Sequence, residues 1–213
     1  MVLPYFSLAA SLSYCHDPMR EPTRRTQGVR RGPRSVQVVQ SVRAAALAEL
    51  ARAGFANLTI DGVARAANVN RTTIYRRWPS KAALLAAVVE PLLERYDEDP
   101  DTGSLGGDFM ALLTMIRDNA ELPEGRVFAE AIKSSSSELQ ELLRTATGRA
   151  LAPFRRALER AASRGEVGET GDLDIIAHLA FYGAAFWEQT HDSPPTDDDC
   201  RRMVRILLQG TAP

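Results

Sequence analysis

The chain has 213 residues, 45% of them hydrophobic and 25% charged, a balance that can bury a core and excludes disordered or fibrous classes. Its formal net charge of -1 hides a division: residues 1–95 carry 14 Lys+Arg against 6 Asp+Glu, and residues 96–213 carry 12 against 21. A basic front half points to a polyanionic partner for that half alone, the plainer alternative being chance clustering of solvated charge. The two cysteines, Cys15 and Cys200, have no CxxC pairing and no nearby His at ligand spacing, so neither a disulfide framework nor a metal site is expected. No apolar run approaches the ~18 residues of a membrane span. A cytoplasmic protein with no membrane partner is the expectation.

In chain order, residues 1–18 are mildly apolar, but no Lys or Arg precedes Arg20, so the cationic start of a secretory signal is missing. They are read as disordered, with Met19 as an alternative first residue. Residues 20–34 hold six arginines, one acid, two prolines and two glycines. That composition predicts a flexible basic arm, either following phosphates and entering a minor groove or simply solvated.

From Ser35 the pattern turns helical: Val39, Val42, Ala46 and Leu50 recur at helical spacing, and Gly54 is placed to stop the helix. Thr59 is a good N-cap for a second helix carrying Ile60, Val63, Ala64 and Ala67. Asn68 tolerates left-handed backbone and ends it. Asn70 can cap a third helix, Arg71 to Trp78, and two short helices around a tight turn are the helix-turn-helix pattern. Pro79 breaks that helix, and Ser80 can cap a fourth running to about Tyr96, with a kink expected at Pro91. Residues 97–107 read as a loop and domain boundary. Further helices are predicted at 108–120, 124–134, 137–163, 172–190 and 197–209, with Pro153 expected to kink or split the long one. No stretch alternates with period two, so the fold is expected to be all-α: an N-terminal three-helix domain over 35–96 and a larger helical bundle over 97–213.

The third helix carries the chemistry. Ile74 and Trp78 share an inward face, which leaves Arg71, Thr72, Thr73, Tyr75 and Arg76 on the open side. Arginine reads guanine edges, threonine offers a hydroxyl and a methyl, and tyrosine bonds phosphate, so this helix suits the major groove of DNA. A polar face on an ordinary surface helix is the competing reading. The run AGFANLTIDGVARAANVNRTTIYRRWPSKAALLAAVV, residues 53–89, resembles the DNA-binding domain of the tetracycline-repressor (TetR) family. The likeness rests on Gly54-Phe55, Thr59, Val63-Ala64, Thr73-Ile74-Tyr75, Trp78 and Ser80-Lys81. It implies phosphate contacts from Thr59, Tyr75 and Lys81, with Arg71, Thr72, Thr73 and Arg76 facing base edges or backbone and Asn70 at the helix start.

The ending, residues 164–187 followed by 197–210, is similar to the last helix pair of one TetR subtype, in which two such helices meet their twins in a four-helix dimer interface. Leu173, Ile176, Ala180, Ala184 and Trp187, with Met203, Val204 and Leu207, are the candidates; intramolecular core is the alternative for each. The family also implies a small-molecule pocket, for which Phe109, Leu113, Phe128, Phe154, His178, Phe181 and Tyr182 are candidates, against plain core filling. A buried His178 needs a polar partner, which a backbone carbonyl supplies as well as a ligand. No nucleophile elbow, HExxH or phosphate-cradling glycine loop occurs in the sequence, so no catalytic site, metal or cofactor is expected. The function implied is a homodimeric repressor of a palindromic operator on double-stranded DNA, released by an unidentified ligand. A ligand-independent DNA-bending protein and a helical enzyme with a relic DNA-binding domain are the competing classes.

Overall fold

The computed structural model describes residues 32–132, 136–168 and 172–209, so the expected basic arm, Cys15 and the alternative start at Met19 lie outside the described residues. Among the described residues there are nine α-helices and no strand. α1 (Pro33–Asn57) opens on Pro33, where a missing N–H costs nothing, two residues before the helix expected from Ser35. Its regular geometry breaks at Gly54, with φ 71 and ψ 170, a region open to glycine but not the left-handed helical well. Val42, Ala46 and Leu50 are buried beneath α2 (Ile60–Ala66) and α4 (Lys81–Glu94).

Short side-chain caps fix the helix-turn-helix. Thr59 Oγ1 accepts from Gly62 N at 3.0 Å to start α2, and Asn70 Oδ1 accepts from Thr72 N at 2.8 Å to start α3 (Arg71–Arg77). Asn68 adopts the expected left-handed turn, with φ 51. Ile74 is fully buried and Trp78 nearly so, anchoring α3 by one face.

α4 is buried on two sides, with Leu84, Leu85, Val88, Val89, Leu92 and Leu93 all in the core. It runs through Pro91 without losing helical geometry and ends in a 3-10 turn at Arg95–Asp97. The following loop is shorter than expected. Ser104 caps α5 (Leu105–Glu121) through Gly107 N at 3.1 Å, so Gly106 and Gly107 are helical. Glu166 adds a second cap, accepting from Leu105 N at 2.7 Å.

α6 (Pro123–Ile132) packs on α1, α4, α5 and α7. α7 (Ser137–Ser163) continues unbroken through Pro153, whose buried ring sits among Ala150, Leu151, Phe154 and Ala157; the expected split does not occur. α8 (Leu173–Ala185) and α9 (Asp197–Gln209) close the bundle against α5. α8 is shorter than expected because its last turn tightens into a 3-10 segment at Trp187–Gln189. Cys200 is a fully buried free thiol.

Candidate nucleic-acid interface and ligand cleft

α3 presents Arg71, Thr72, Tyr75, Arg76 and Arg77 to solvent, while Thr73 is half-buried. The sequence forces this division, since Ile74 and Trp78 take the inward face. Arg71 is already engaged: its Nε lies 3.0 Å from Asp61 Oδ1 on α2, and its guanidinium sits 5.3 Å from the centre of the Tyr75 ring. Asp61 was not singled out from the sequence, and only folding brings it to Arg71. Arg77 was also passed over; its Nη2 donates to Ser35 Oγ at 2.7 Å, tying the end of α3 to the first turn of α1.

Thr59 and Asn70 are exposed, but their side-chain oxygens are occupied as helix caps. Lys81 is less free than its sequence position implies. Its Nζ donates to the Phe55 carbonyl at 2.7 Å and stands 4.2 Å from the Phe55 ring centre, and burial lowers its pKa. This contact closes the gap left where α1 breaks at Gly54.

A cleft of about 910 Å³ opens between α4, α5, α6, α7 and α8. Phe128, His178, Phe181 and Tyr182 line it, as expected. Phe109, Leu113 and Phe154 do not: they are fully buried, and the Phe109 and Phe154 rings pack edge to face at 5.4 Å. All three lie on helix faces that meet in the bundle centre, a choice between core and cavity wall that residue type cannot make. His178 Nδ1 lies 2.6 Å from the Asp174 carbonyl, one turn back on its own helix, so a backbone group meets its need for a polar partner. The cleft wall also includes Leu92, Leu93, Tyr96, Ile116 and Asn119, which sequence reasoning missed. Asn119 carried a readable signal, since it follows Ile116 by three residues on the apolar face of α5.

The expected dimer residues divide between the chain's own core and its partly exposed surface. Ile176, Ala180, Ala184 and Val204 are buried inside the chain, and Leu173, Trp187, Met203 and Leu207 are half-buried. The outward face of the last two helices instead carries Ile175, Leu179 and Ile206, exposed by 56%, 60% and 67%, together with Tyr182 and Gly183. α8 is apolar around most of its circumference, so composition does not say which stripe turns inward.

Two family descriptions match the chain: "Bacterial regulatory proteins, tetR family" over residues 42–88, and "Tetracyclin repressor-like, C-terminal domain" over residues 99–207. The DNA-binding transcriptional repressor TetR of Mycobacteroides abscessus is 36% identical over 143 residues, 64% of this chain and 74% of that protein. Among solved structures, the TetR family transcription regulator SCO0332 is 27% identical with a TM-score of 0.64, covering 83% of this chain and all of its own. The SmeT–triclosan complex shares the fold at 22% identity, with a TM-score of 0.63 over 83% of this chain and 92% of its own. With both halves matched and an exposed recognition helix in place, the chain belongs to the tetR family and is a DNA-binding transcriptional regulator.

Proposed function

We propose that the chain is a homodimeric repressor that holds a palindromic operator with α3 of each copy and lets go when a small molecule fills the cleft. The observation that carries this is α3 itself: a capped helix anchored by Ile74 and Trp78, with Thr72, Tyr75 and Arg76 on its solvent side. Two such helices about 34 Å apart enter successive major grooves. In this reading residues 35–96 form the DNA-binding domain and residues 97–213 the ligand-binding and dimerisation domain. Arg71, Thr72 and Arg76 meet base edges or backbone, Tyr75 bonds phosphate, and Thr59 and Lys81 support the helices that do so. The protein acts in the cytoplasm, without catalysis or a cofactor.

The exposed stripe Ile175, Leu179 and Ile206 supports dimerisation through α8 and α9, since a soluble protein gains by covering apolar surface of this kind. SmeT, alike in fold, is named for a complex with triclosan, which favours a small-molecule signal for the cleft here. Release requires the ligand to bind the DNA-free state more tightly than the DNA-bound one.

Fluorescence anisotropy with a fragment of the protein's own promoter tests the reading at fixed salt. Thr72→Ala and Arg76→Ala are expected to weaken binding by about 5- to 100-fold with helicity unchanged. Equal affinity for promoter and unrelated DNA, or undiminished binding by both variants, overturns it.

A further inference from the structure

We propose that Asn119 is the polar anchor of the cleft, and that the cleft takes an uncharged, largely apolar molecule bearing one hydroxyl, carbonyl or amide group. The inference deepens the ligand-release reading and rests on it. The inner wall is formed by Leu92, Leu93, Ile116 and Leu151, all buried. Set among them is Asn119, 2% exposed, and neither its Nδ2 nor its Oδ1 makes a hydrogen bond. Native proteins seldom leave both ends of a buried amide unsatisfied, because desolvation then goes uncompensated.

The Tyr96 hydroxyl lies beside it. Burial raises the Tyr96 pKa and a hydrogen-bonding contact with the Asn119 side chain partly opposes that rise, so the Tyr96 hydroxyl faces the amide but stands outside the geometry of a full hydrogen bond. The backbone at Asn119 is tightly packed. A side chain at Gly125 would come within 2.3 Å of the Asn119 carbonyl oxygen, so the start of α6 is pressed against the end of α5. A ligand hydroxyl or carbonyl entering the cleft therefore finds both a donor and an acceptor.

The charge distribution sets the rest of the ligand's character. Arg155 is paired with Asp174 and Arg144 with Glu141, while Glu121, Arg126 and Glu188 stand exposed at the rim. The buried part of the wall offers no ionised side chain to balance a ligand charge, and an unbalanced charge there would be strongly disfavoured.

Three probes of one shape separate these features: naphthalene, 2-naphthol and 2-naphthoate, titrated into the full chain at neutral pH. The wild type is expected to bind 2-naphthol at least about five-fold more tightly than naphthalene, one charge-free hydrogen bond's worth, and 2-naphthoate most weakly. Asn119→Leu is expected to erase or invert the naphthol preference and to raise the Tm of the unliganded protein by about 2–4 °C, because it removes an unsatisfied group. Asn119→Ala should erase the same preference should leucine not fit. A fall in Tm for Asn119→Leu with the preference intact assigns Asn119 a purely structural role and overturns the proposal, as does tightest binding of 2-naphthoate. Failure of the wild type to bind any of the three sinks the ligand cleft as well, whereas binding of naphthalene and 2-naphthol alike sinks only the anchor.

Discussion

At the scale of single residues, buried polar groups in this chain divide into satisfied and unsatisfied cases, and Asp108 is the satisfied counterpart of Asn119. Its carboxylate is fully buried yet accepts from Thr102 N at 2.7 Å, from Thr102 Oγ1 at 2.8 Å and from Arg160 Nη2 at 3.1 Å. Burial pushes its pKa up, but those hydrogen bonds and the Arg160 charge outweigh burial and hold it below the ordinary 3.8. Arg160 also grips Asp99 and the Pro100 carbonyl, so one cluster fastens the loop after α4 to α5 and α7. A depressed carboxyl pKa stabilises the fold above its unfolded value, and that contribution is lost as pH falls through the folded value. Asp108→Asn is therefore expected to cost about 2–3 kcal/mol near neutral pH in urea unfolding. The gap from wild type should narrow as pH drops below the ordinary aspartate range. An unchanged gap across that range would show that charge plays no part.

Among elements, the end of α1 governs how the helix-turn-helix is hung. Gly54 breaks the helix at φ 71 and ψ 170, and the Phe55 carbonyl behind it accepts from Lys81 at the start of α4. Nothing lies within 4 Å of a Cβ built at Gly54, so a side chain there meets strain and no clash. Gly54→Ala is expected to destabilise the chain by about 1–3 kcal/mol, read from the shift of its denaturation midpoint, and to weaken promoter binding by moving α2 relative to α4. Full stability in this variant would mean that the junction relaxes freely. α4 has the opposite character. Its buried faces reach into both halves of the chain, and Arg43 of α1 bridges the α4 carbonyl of Val88 at 3.3 Å and Glu124 of α6 at 3.6 Å. Packed contacts of α6 with α1 and α4 thus link the cleft wall to the helices beside α3, the route by which the proposed ligand release would travel.

For the whole molecule, the division between a basic front half and an acidic back half fits the proposed reading, in which only the front half meets DNA. In the proposed dimer the spacing of two α3 helices depends on the interface, so the outward-facing stripe of residues on α8 and α9 would matter more to operator binding than its distance from DNA suggests. Leu179→Glu places a charge in the centre of that stripe without touching the intramolecular core. Sedimentation is expected to show the variant as a monomer at micromolar concentration, with promoter affinity lost by at least about ten-fold and helicity retained. A stable dimer of the variant would move the interface to another face.

The sequence by itself determined which segments are helices, where the caps and turns fall, and which face of α3 meets solvent. Those features follow from local chemistry: Thr59, Asn70 and Ser80 satisfy N–H groups within three residues, Asn68 accepts positive φ, and Ile74 with Trp78 leaves one open side. Apart from some helix ends and the split expected at Pro153, its errors concern choices between apolar faces. Phe109 and Phe154 went to the bundle centre, and Ile176, Ala180 and Ala184 faced inward, while Ile175 and Leu179 were left outside. The partners that decide those choices lie dozens of residues away on α5, α7 and α9, and burial of a methyl group carries no local signature. Likewise Asn119 is a lone amide on an apolar helix until α4, α6 and α7 close around it; only the tertiary structure makes it buried and leaves its amide without a well-formed hydrogen bond.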